Sequence, residues 1–364
     1  MIKKKLKLYY RGLVQHLFKK IYGEISVPKK IDNLIKIEKI NDLYLKLNNK
    51  NYHIYKVKNA RIYTDNNENV AIIKDNFILP FISFQQVKGK LKNVKHNTVL
   101  KIGTPSFVKK FKGSVFNLCQ GGSGNNYFHF IFDIIPKIYL LKSKMKIQKI
   151  NYFYLTDPKK WQIKILKLLG INEKKIISSK TNNHIEVDEI FAVDHPWYNK
   201  GFVQHNVGKI PKWIINQNRK IFLKNIYKKH TRNIFIDRSH SKYNHCQIEN
   251  INDIINTVSK KKFQIHKPEY LNFKEQIKLF NTSSTIIGAH GAAFTNIIFC
   301  KPKTKIIEII PADHPNKKCQ RISKILKLRY FRIKTKPNNS DPNYPFRINL
   351  AKKNLREIMK IIDL

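Results

Sequence analysis

Short hydrophobic segments alternate with polar turns in the first part of the chain. From about Leu34 to Gln86, segments such as YHIYKV, ARIYT and NVAIIK are separated by the Asn-rich turns DNNEN and KDN. Alternation of apolar and polar positions over about four to eight residues is typical of strands that pair with their neighbours in sequence. We therefore expect a small β meander in this region.

After Val115 the pattern changes to strands that alternate with helices. The strand-like VFNLC (115–119) leads through the glycine-rich GGSGNN to the helix-like NYFHFIFDII, which Pro136 is expected to stop or kink. The segments NYFYLT, WQIKILKLL and IEVDEIFAV (185–193) continue the alternation. A βαβ order of this kind predicts a parallel sheet.

A second alternation follows a connecting helix, which we predict over residues 210–227. Its predicted strands are NIFID, FQIHK, TIIGA and KIIEII, and the helical segments between them are IENINDIINTV, FKEQIKLF and AFTNIIF. This order predicts a second doubly wound α/β unit. Two such units facing each other would form a cleft at the carboxyl ends of their strands, where open α/β sheets bind ligands.

The length of 364 residues, with a mass of 43.1 kDa, favours two domains. We expect an N-terminal domain over 28–207 and a C-terminal domain over 208–345. A basic amphipathic segment at 1–27 precedes them, and a helix at 346–364 is expected to pack across the domain boundary.

Residues 1–27 combine basic side chains with apolar residues at helical spacing, namely Leu6, Tyr9, Tyr10, Leu13, Leu17 and Ile21. Such a helix lies either on an anionic membrane surface or on its own protein, and the pattern leaves both open. The segment lacks the continuous apolar core and small-residue cleavage site of a signal peptide, and no apolar run of about 18 residues occurs elsewhere. We expect a cytoplasmic protein, with peripheral contact with an anionic membrane left open.

The chain is strongly basic, with 71 Lys+Arg against 24 Asp+Glu and a formal net charge of +47. A charge of this size attracts anions over long distances, so a protein that binds nucleic acid or acidic glycan is one interpretation. The even spread of lysine along the whole chain favours a background coding bias instead. The four cysteines have neither the spacing of a metal site nor that of a disulfide framework, which favours a reducing compartment and no bound metal.

The sharpest local motif is TIIGAHGAAFTNIIF (285–299), in which a buried strand runs into a helix through His290, Gly291 and Ala292. A helix N-terminus presents unpaired N–H groups, and small residues let a diphosphate approach the backbone. His290 could donate to a phosphate or a sugar hydroxyl, while Asn296 could steady the loop. The alternative is a tight turn whose glycines serve packing alone.

Two further candidates lie at predicted strand ends in the same half of the chain. Arg238 follows NIFID and offers paired, charge-assisted hydrogen bonds to a diphosphate, unless it is a surface residue paired with Asp237 or Glu249. Glu308 interrupts the apolar strand KIIEII and could accept from the hydroxyls of a ribose; the alternative is a carboxylate that faces solvent.

His129 and Asp133 are four residues apart in NYFHFIFDIIP, so a helix places them on one face within reach of each other. Either could remove the proton from a hydroxyl group that attacks an electrophilic carbon. A buried His–Asp pair with a structural role is the alternative. The sequence has no G-x-G-x-x-G with a following acid, no P-loop and no Asp-x-Asp that would hold a metal against a sugar diphosphate.

Together these segments resemble glycosyltransferase family 61. The matching blocks are NYFHFIFDIIP (126–136), the strand-end Arg238, EYLNFKEQIKLFNTSSTIIGAHGA, HGAAFTN (290–296) and IFCKPKTKIIEI, and they cover roughly residues 117–312. Their order and spacing make the likeness more specific than any single block. One departure is Phe130, where the family usually has Trp after its His.

The resemblance implies a GT-B fold of two facing Rossmann-like domains and sugar transfer with inversion from a nucleotide-sugar donor, UDP-linked as the leading expectation, without a required cofactor. The donor would lie in the C-terminal domain, on Arg238, His290, Gly291, Ala292, Asn296 and Glu308. Asp133 and His129 would be catalytic on the acceptor side. The acceptor would be a glycan or lipid-linked glycan, in capsule or lipopolysaccharide assembly. The rival is a basic protein that binds nucleic acid or acidic glycan without catalysis.

Overall fold

A computed structural model describes residues 2–40, 51–65, 69–87, 89–119, 124, 126–198, 200–223, 230–241, 245–338 and 347–364. The chain divides into two compact units, Met1–Val203 and Gln204–Leu364, close to the boundary predicted at 207 and 208. Most of the predicted glycine-rich loop, part of the DNNEN turn and residues 224–227 of the predicted connecting helix lie outside the described residues.

The first unit contains a long N-terminal helix, short helices and a large sheet. Its helices are α1 (Ile2–Tyr22), α2 (Val99–Ile102), α3 (Tyr127–His129), α4 (Ile135–Lys142), α5 (Lys160–Leu168) and α6 (Val203–Asn206), the last of which continues into the second unit. Its strands are β1 (Lys36–Ile40), β2 (Tyr52–Asp65), β3 (Asn69–Lys74), β4 (Phe77–Ile78), β5 (Phe84–Val87), β6 (Lys90–Lys92), β7 (Lys109–Asn117), β8 (Tyr152–Leu155), β9 (Ile176–Ser178), β10 (His184–Val193) and β11 (Gly201–Phe202).

The predicted meander and the predicted parallel strands form one mixed sheet. The strand order is β11-β6-β5-β3-β2-β10-β7-β8-β9, with β1 on β2 and β4 on β3. Strands β10, β7, β8 and β9 are parallel, whereas β2 joins them by antiparallel pairing with β10. The predicted meander is present as the antiparallel strands β2, β3, β5 and β6, and it is continuous with the parallel strands in the same sheet. One apolar core, with Ile62, Val115 and Ile190, lies under both parts.

The helix predicted to stop or kink at Pro136 continues through it. Between α3 and α4 lies a π-helical turn, Phe130–Ile134, so helical backbone extends from Tyr127 to Lys142. Proline has no N–H and clashes with the preceding turn of a regular helix, and the wider π turn takes up that mismatch. π turns inside α-helices occur frequently at functional sites, and this one contains Asp133.

The second unit is a doubly wound α/β unit, as the sequence predicts. Its parallel sheet has the order β13-β12-β14-β15-β16. The strands are β12 (Arg232–Ile236), β13 (Gln264–His266), β14 (Ser283–Ala289), β15 (Lys305–Pro311) and β16 (Arg329–Thr335), with a small pair β17 (Pro337–Asn338) and β18 (Arg347–Ile348). The strand order reverses between β12 and β14, and the carboxyl ends at such a switch point form the usual ligand site of this architecture.

The helices of this unit are α7 (Lys212–Phe222), α8 (Ile251–Ser259), α9 (Phe273–Thr282), α10 (Lys318–Leu326) and α11 (Lys352–Asp363), with a 3-10 helix at Ala292–Phe299. The sequence interpretation missed α10 and β16. It also placed the final helix across the domain boundary, whereas Ile358 and Ile361 of α11 join the core of the second unit with Ile254 and Val258 of α8. The GT-B arrangement of facing domains stays a prediction.

Helix α1 docks through one face only. Phe18 is buried and packs edge-on against Phe107 at 5.0 Å, and the Tyr22 hydroxyl accepts a hydrogen bond from the Val108 backbone. The predicted apolar stripe lies on the other side and is exposed, including Tyr9 at 70% and Leu13 at 52%. None of the helices in the described part of the chain has the length and apolarity needed to span a membrane.

Candidate active site

His129 and Asp133 form a close pair at the carboxyl edge of the first sheet. The strand β7 leads into α3, where the Asn126 side chain caps the helix by accepting hydrogen bonds from the backbone N–H groups of Phe128 and His129. Nδ1 of His129 lies 2.7 Å from Oδ2 of Asp133, which confirms that the two side chains reach each other. Asp133 is fully buried and His129 retains a small exposed fraction.

The second oxygen of Asp133 is also bonded within the protein. Nε1 of Trp197, which follows strand β10, donates to Oδ1 at 2.7 Å, and Nε2 of His195 lies 3.7 Å from Oδ2. The Tyr52 hydroxyl donates to the carbonyl of Pro196 at 2.6 Å and holds this turn. Because parallel strands β7 and β10 are neighbours, their carboxyl ends bring the helix and the turn together.

The two histidines lower the pKa of Asp133, against a burial effect in the opposite direction. An ionised carboxylate only accepts hydrogen bonds, so Nδ1 of His129 must carry the proton and donate it. In the neutral ring Nε2 is then the acceptor. The arrangement gives Asp133 the geometry of an orienting residue and leaves Nε2 of His129 able to accept a proton; which of the two is the base stays a prediction.

The predicted C-terminal residues meet at the switch point of the second sheet. Arg238 follows β12, and His290 and Gly291 follow β14. Nη1 of Arg238 donates to the His290 carbonyl and, at 3.1 Å, to the His245 carbonyl, which excludes the surface pairs with Asp237 or Glu249. A Cβ atom at Gly291 would lie 2.1 Å from Cζ of Arg238, so glycine is what lets the guanidinium pack on this turn.

Glu308 lies on the neighbouring strand and is bonded inside the protein. Its Oε1 lies 2.6 Å from Nδ1 of His290, and the Tyr330 hydroxyl donates to Oε2 at 2.6 Å. Against the opposing effect of its burial, these contacts lower the pKa of Glu308 to about 2, and burial lowers that of His290 to about 4. The alternative of a carboxylate facing solvent is therefore wrong. In this pair an ionised acid orients a neutral histidine.

Basic and imidazole side chains surround this pair. Buried Lys318 donates to the Gly291 carbonyl at 2.8 Å, and Nε2 of His314 lies 3.1 Å from Nε2 of His245. Burial, with nearby positive charge, lowers the pKa of both histidines to about 4. The side chains around the turn are therefore cations and neutral imidazoles, which suits an anionic ligand.

Two clusters near this turn consist of residue types that can ligate a metal ion. They are His245–Cys246–His314 and His290–Glu308–Cys319. The first is also explained by hydrogen bonds alone: Nδ1 of His314 accepts from the Asn316 N–H at 3.2 Å, so Nε2 carries the proton and donates to His245. The cations of Arg238 and Lys318 oppose a further positive ion nearby. The expectation of a metal-free site stays a prediction.

Asn296 and Ala292 complete the predicted set. Asn296 is fully buried in the 3-10 helix, and its Nδ2 donates to Oε1 of Gln276 at 2.7 Å. Gln276 in turn donates to the Pro268 and Leu271 carbonyls. This chain of contacts ties the helix after the His-Gly-Ala turn to α9. Ala292 is the first residue of the 3-10 helix and is partly exposed.

Several residues of these sites were not predicted from the sequence, namely His195, Trp197, His245, His314, Lys318 and Tyr330. Trp197 had a usable signal, because DHPWY directly follows the predicted strand IEVDEIFAV. Lys318 had none among so many lysines, and Tyr330 lies on a strand that the interpretation missed.

Comparison with known proteins shows a similarity to one protein family. Residues 127–307 match the model of the family described as Glycosyltransferase 61. The match begins at the helix that carries His129 and Asp133 and ends next to Glu308, and it includes Arg238 and the His-Gly-Ala turn. The resemblance of the sequence blocks to this family is supported independently.

Two relatives are plant enzymes. The Beta-1,2-xylosyltransferase RCN11 of Oryza sativa subsp. japonica is 36% identical over 64 residues, and a Beta-1,2-xylosyltransferase of Arabidopsis thaliana is 32% identical over 73 residues. The aligned segments cover 18% and 20% of this chain and 12% and 14% of those proteins. These comparisons support a glycosyltransferase of family 61, while the bacterial capsule or lipopolysaccharide subtype is a finer prediction.

A solved structure also aligns, a mutant flavo di-iron protein from Thermotoga maritima. The alignment covers 91% of this chain and 99% of that one, with 9% sequence identity and a TM-score of 0.25. A score this low carries no argument about fold or function.

Proposed function

We propose that this protein is an inverting glycosyltransferase that moves a sugar from a nucleotide-sugar donor to a hydroxyl group of a glycan acceptor. The observation that carries the proposal is the His129–Asp133 pair, bonded at 2.7 Å within the segment that matches the family. Transfer with inversion needs a single base that takes the proton of the attacking hydroxyl group. The His129–Asp133 pair can supply that base.

In this proposal His129 is the base and Asp133 is a positioning residue. The acceptor O–H gives its proton to Nε2 of His129 as its oxygen bonds to the anomeric carbon, and the bond from that carbon to the nucleoside diphosphate breaks with the electron pair on the phosphate. Asp133 stabilises the resulting imidazolium through Nδ1–H and keeps the ring oriented. Its own oxygens are already occupied by His129 and Trp197.

The second unit holds the donor. Both hydrogen bonds of Arg238 to carbonyls use Nη1, and its other N–H groups have no bond to a described residue, so they can bind the diphosphate. Gly291 lets that guanidinium lie on the turn, and Lys318 adds positive charge beneath it. Glu308 acts through His290 by fixing the ring, which differs from the direct ribose contact predicted from the sequence.

The names of the two relatives suggest which donor sugar to test first. Both are named as β-1,2-xylosyltransferases, so UDP-xylose is the first donor to test. A role in assembling surface polysaccharide, implied by the resemblance, stays a prediction because both relatives are plant proteins. The match to an enzyme family favours catalysis over the rival of a basic binding protein.

Thermal unfolding with UDP, GDP, CDP and CMP at moderate salt tests the donor site, because a ligand that binds only the native state raises its stability. We expect one nucleotide to raise the Tm of the wild type and not that of Arg238→Ala. Equal small shifts with all four nucleotides, unchanged in the variant, would mean nonspecific attraction of anions and would favour the rival.

The exposed face of α1 supports a peripheral contact with anionic membrane. The helix contains no Asp or Glu, and its outer stripe consists of Leu6, Tyr9, Tyr10, Leu13, Leu17 and Ile21, each 49% to 70% exposed. Apolar residues flanked by lysine bind the interface of an anionic bilayer.

Cosedimentation with vesicles of phosphatidylglycerol and phosphatidylcholine tests this contact. We expect the variant Leu13→Glu/Leu17→Glu to lose binding, while Leu168→Glu, a change at a 45% exposed residue elsewhere in the first unit, keeps it. Equal binding by all three proteins would contradict the proposed surface.

A further inference from the structure

A cavity of about 600 Å³ opens in the first unit, separate from the residues that carry the proposed transfer. Its wall includes the rings of Tyr55 and Phe81, the polar side chains of His53 and Asp194, and the buried residues Asn117 and Lys137. Its size is in the range of small-molecule sites, and its wall mixes aromatic rings with a few polar groups. No residue predicted from the sequence falls among those that line it.

Phe81 is the unusual residue of this cavity. Its φ is +69°, a region that bulky side chains rarely adopt, and its ring is 66% exposed. The N–H of Ile82 donates to the Pro80 carbonyl at 2.9 Å, so the residue is the centre of a strained γ-turn. Strain of this kind persists where the surrounding structure enforces it, commonly at ligand sites. Here the strained turn keeps the apolar ring of Phe81 exposed to solvent at the cavity.

The ring has a fixed aromatic neighbour. Tyr55 and Phe81 lie nearly parallel, with centroids 6.4 Å apart and 17° between their planes. Tyr55 is itself held by its hydroxyl, which donates to Oδ1 of Asp194 at 2.7 Å. Tyr55 is only 3% exposed, so it lies behind Phe81, and the exposed ring of Phe81 is the preorganised apolar surface, of the sort on which the C–H face of a sugar ring packs.

Polar groups lie beside that surface. Asp194 accepts from both the backbone N–H and Nδ1 of His53, at 2.8 and 2.9 Å, which leaves Nε2 of His53 as an acceptor. Lys137 is buried in the cavity wall, and burial lowers its pKa to about 8. A sugar ring has C–H bonds on its faces and hydroxyl groups around its edge. An apolar surface beside a set of polar groups therefore fits both parts of the same ligand.

One residue of the cavity wall lies near Asp133, the partner of the proposed base. His195 lines it, and Nε2 of that residue lies 3.7 Å from Oδ2 of Asp133. We propose that this cavity is a saccharide-binding subsite for the acceptor glycan, with Phe81, supported from behind by Tyr55, as its stacking surface and His53 and Asp194 as its polar edge. This assignment rests on the proposed function in taking the ligand to be part of the acceptor.

Saturation-transfer NMR on the full chain tests the subsite, with the methyl glycosides of xylose, galactose, mannose and N-acetylglucosamine as probes. We expect at least one of them to bind the wild type, and its affinity to fall about tenfold or more in Phe81→Gly. Glycine accepts positive φ without strain, so this variant should unfold at no lower temperature than the wild type. Phe81→Tyr keeps a ring and should keep binding.

Phe202→Ala, a change at a 45% exposed ring outside the cavity, is the matched control and should bind like the wild type. The subsite is overturned if no glycoside binds the wild type, or if Phe81→Gly binds as tightly. Transfer from a nucleotide sugar without any effect of Phe81→Gly on acceptor KM would remove the subsite and leave the proposed function. If a glycoside binds in a way that depends on Phe81, but no nucleotide sugar supports transfer, the saccharide site would stand and the proposed function would fall.

Discussion

Trp197 donates from its indole Nε1 to Oδ1 of Asp133 at 2.7 Å, and this bond fills the oxygen that His129 leaves open. The carboxylate is thereby bonded at both ends and has no exposed surface. A group held in this way cannot approach an acceptor hydroxyl without losing a partner. This relationship supports the proposal that Asp133 positions His129, whose Nε2 has no hydrogen bond to a described residue and can accept a proton.

Replacing Trp197 by Phe keeps an aromatic ring and removes the donor to Asp133. A buried acceptor left without its partner costs about 1–3 kcal/mol, so we expect a lower free energy of unfolding. If Trp197 positions the dyad, kcat should also fall, with little change in acceptor KM. Stability and steady-state kinetics on one preparation check this, and a stability loss with unchanged kcat would assign Trp197 a structural role only.

Gly291→Ala places a methyl group where Cζ of Arg238 lies, because the added Cβ would be 2.1 Å from that atom. The guanidinium has to move, so we expect the nucleotide-dependent rise in Tm to be lost. Gly208→Ala is the control in the same unit, since its Cβ would meet only Lys317 at 3.6 Å, an ordinary contact. A normal nucleotide shift in Gly291→Ala would count against the donor site at this turn.

Tyr330→Phe removes the hydroxyl that donates to Oε2 of Glu308 at 2.6 Å. Glu308 is 1% exposed, so water does not replace that donor readily, and we expect a loss of about 1–3 kcal/mol in unfolding free energy. Tyr270→Phe changes a 70% exposed tyrosine in the same unit and should have little effect. Equal stabilities of the two variants in urea would show that the buried bond contributes nothing.

Stability should fall as pH falls below about 6.5. Burial lowers the pKa of His184, His245, His290 and His314 to about 4 in the folded chain. Between about pH 4 and 6.5 the unfolded chain therefore binds more protons than the folded one, and acid favours unfolding. Urea unfolding at pH 7.5, 6 and 5 measures this; equal or rising stability towards pH 5 would contradict buried neutral histidines.

The central strands of the second unit could be predicted because β12, β14 and β15 are mostly apolar, buried runs bounded by turns. NIFID and TIIGA became neighbouring parallel strands, and Arg238 and His290 then had to meet at one sheet edge. The pairing of His129 with Asp133 was also predictable, because it depends only on helical spacing. In both cases local pattern determines which side chains come together.

What could not be predicted depends on contacts distant in sequence. The joining of β2 to β10 in antiparallel register has no local signal, and neither has the bond from Tyr330 to Glu308. Burial of Glu308 could be inferred from its apolar strand, but not its partners. The strained turn at Phe81 was equally hidden, since Pro-Phe-Ile reads as an ordinary end of a strand.

The role of His129 as base is tested by measuring turnover of UDP-xylose with a panel of glycan acceptors. The wild type is compared with His129→Gln and Asp133→Asn, and nucleotide-dependent Tm shifts are the control for an intact donor site. Loss of a positioned base typically costs about 10²-fold to 10⁴-fold in rate. We expect both variants to lose turnover by about that factor while the nucleotide shift is kept. Wild-type turnover in His129→Gln would contradict the central claim that His129 is the base.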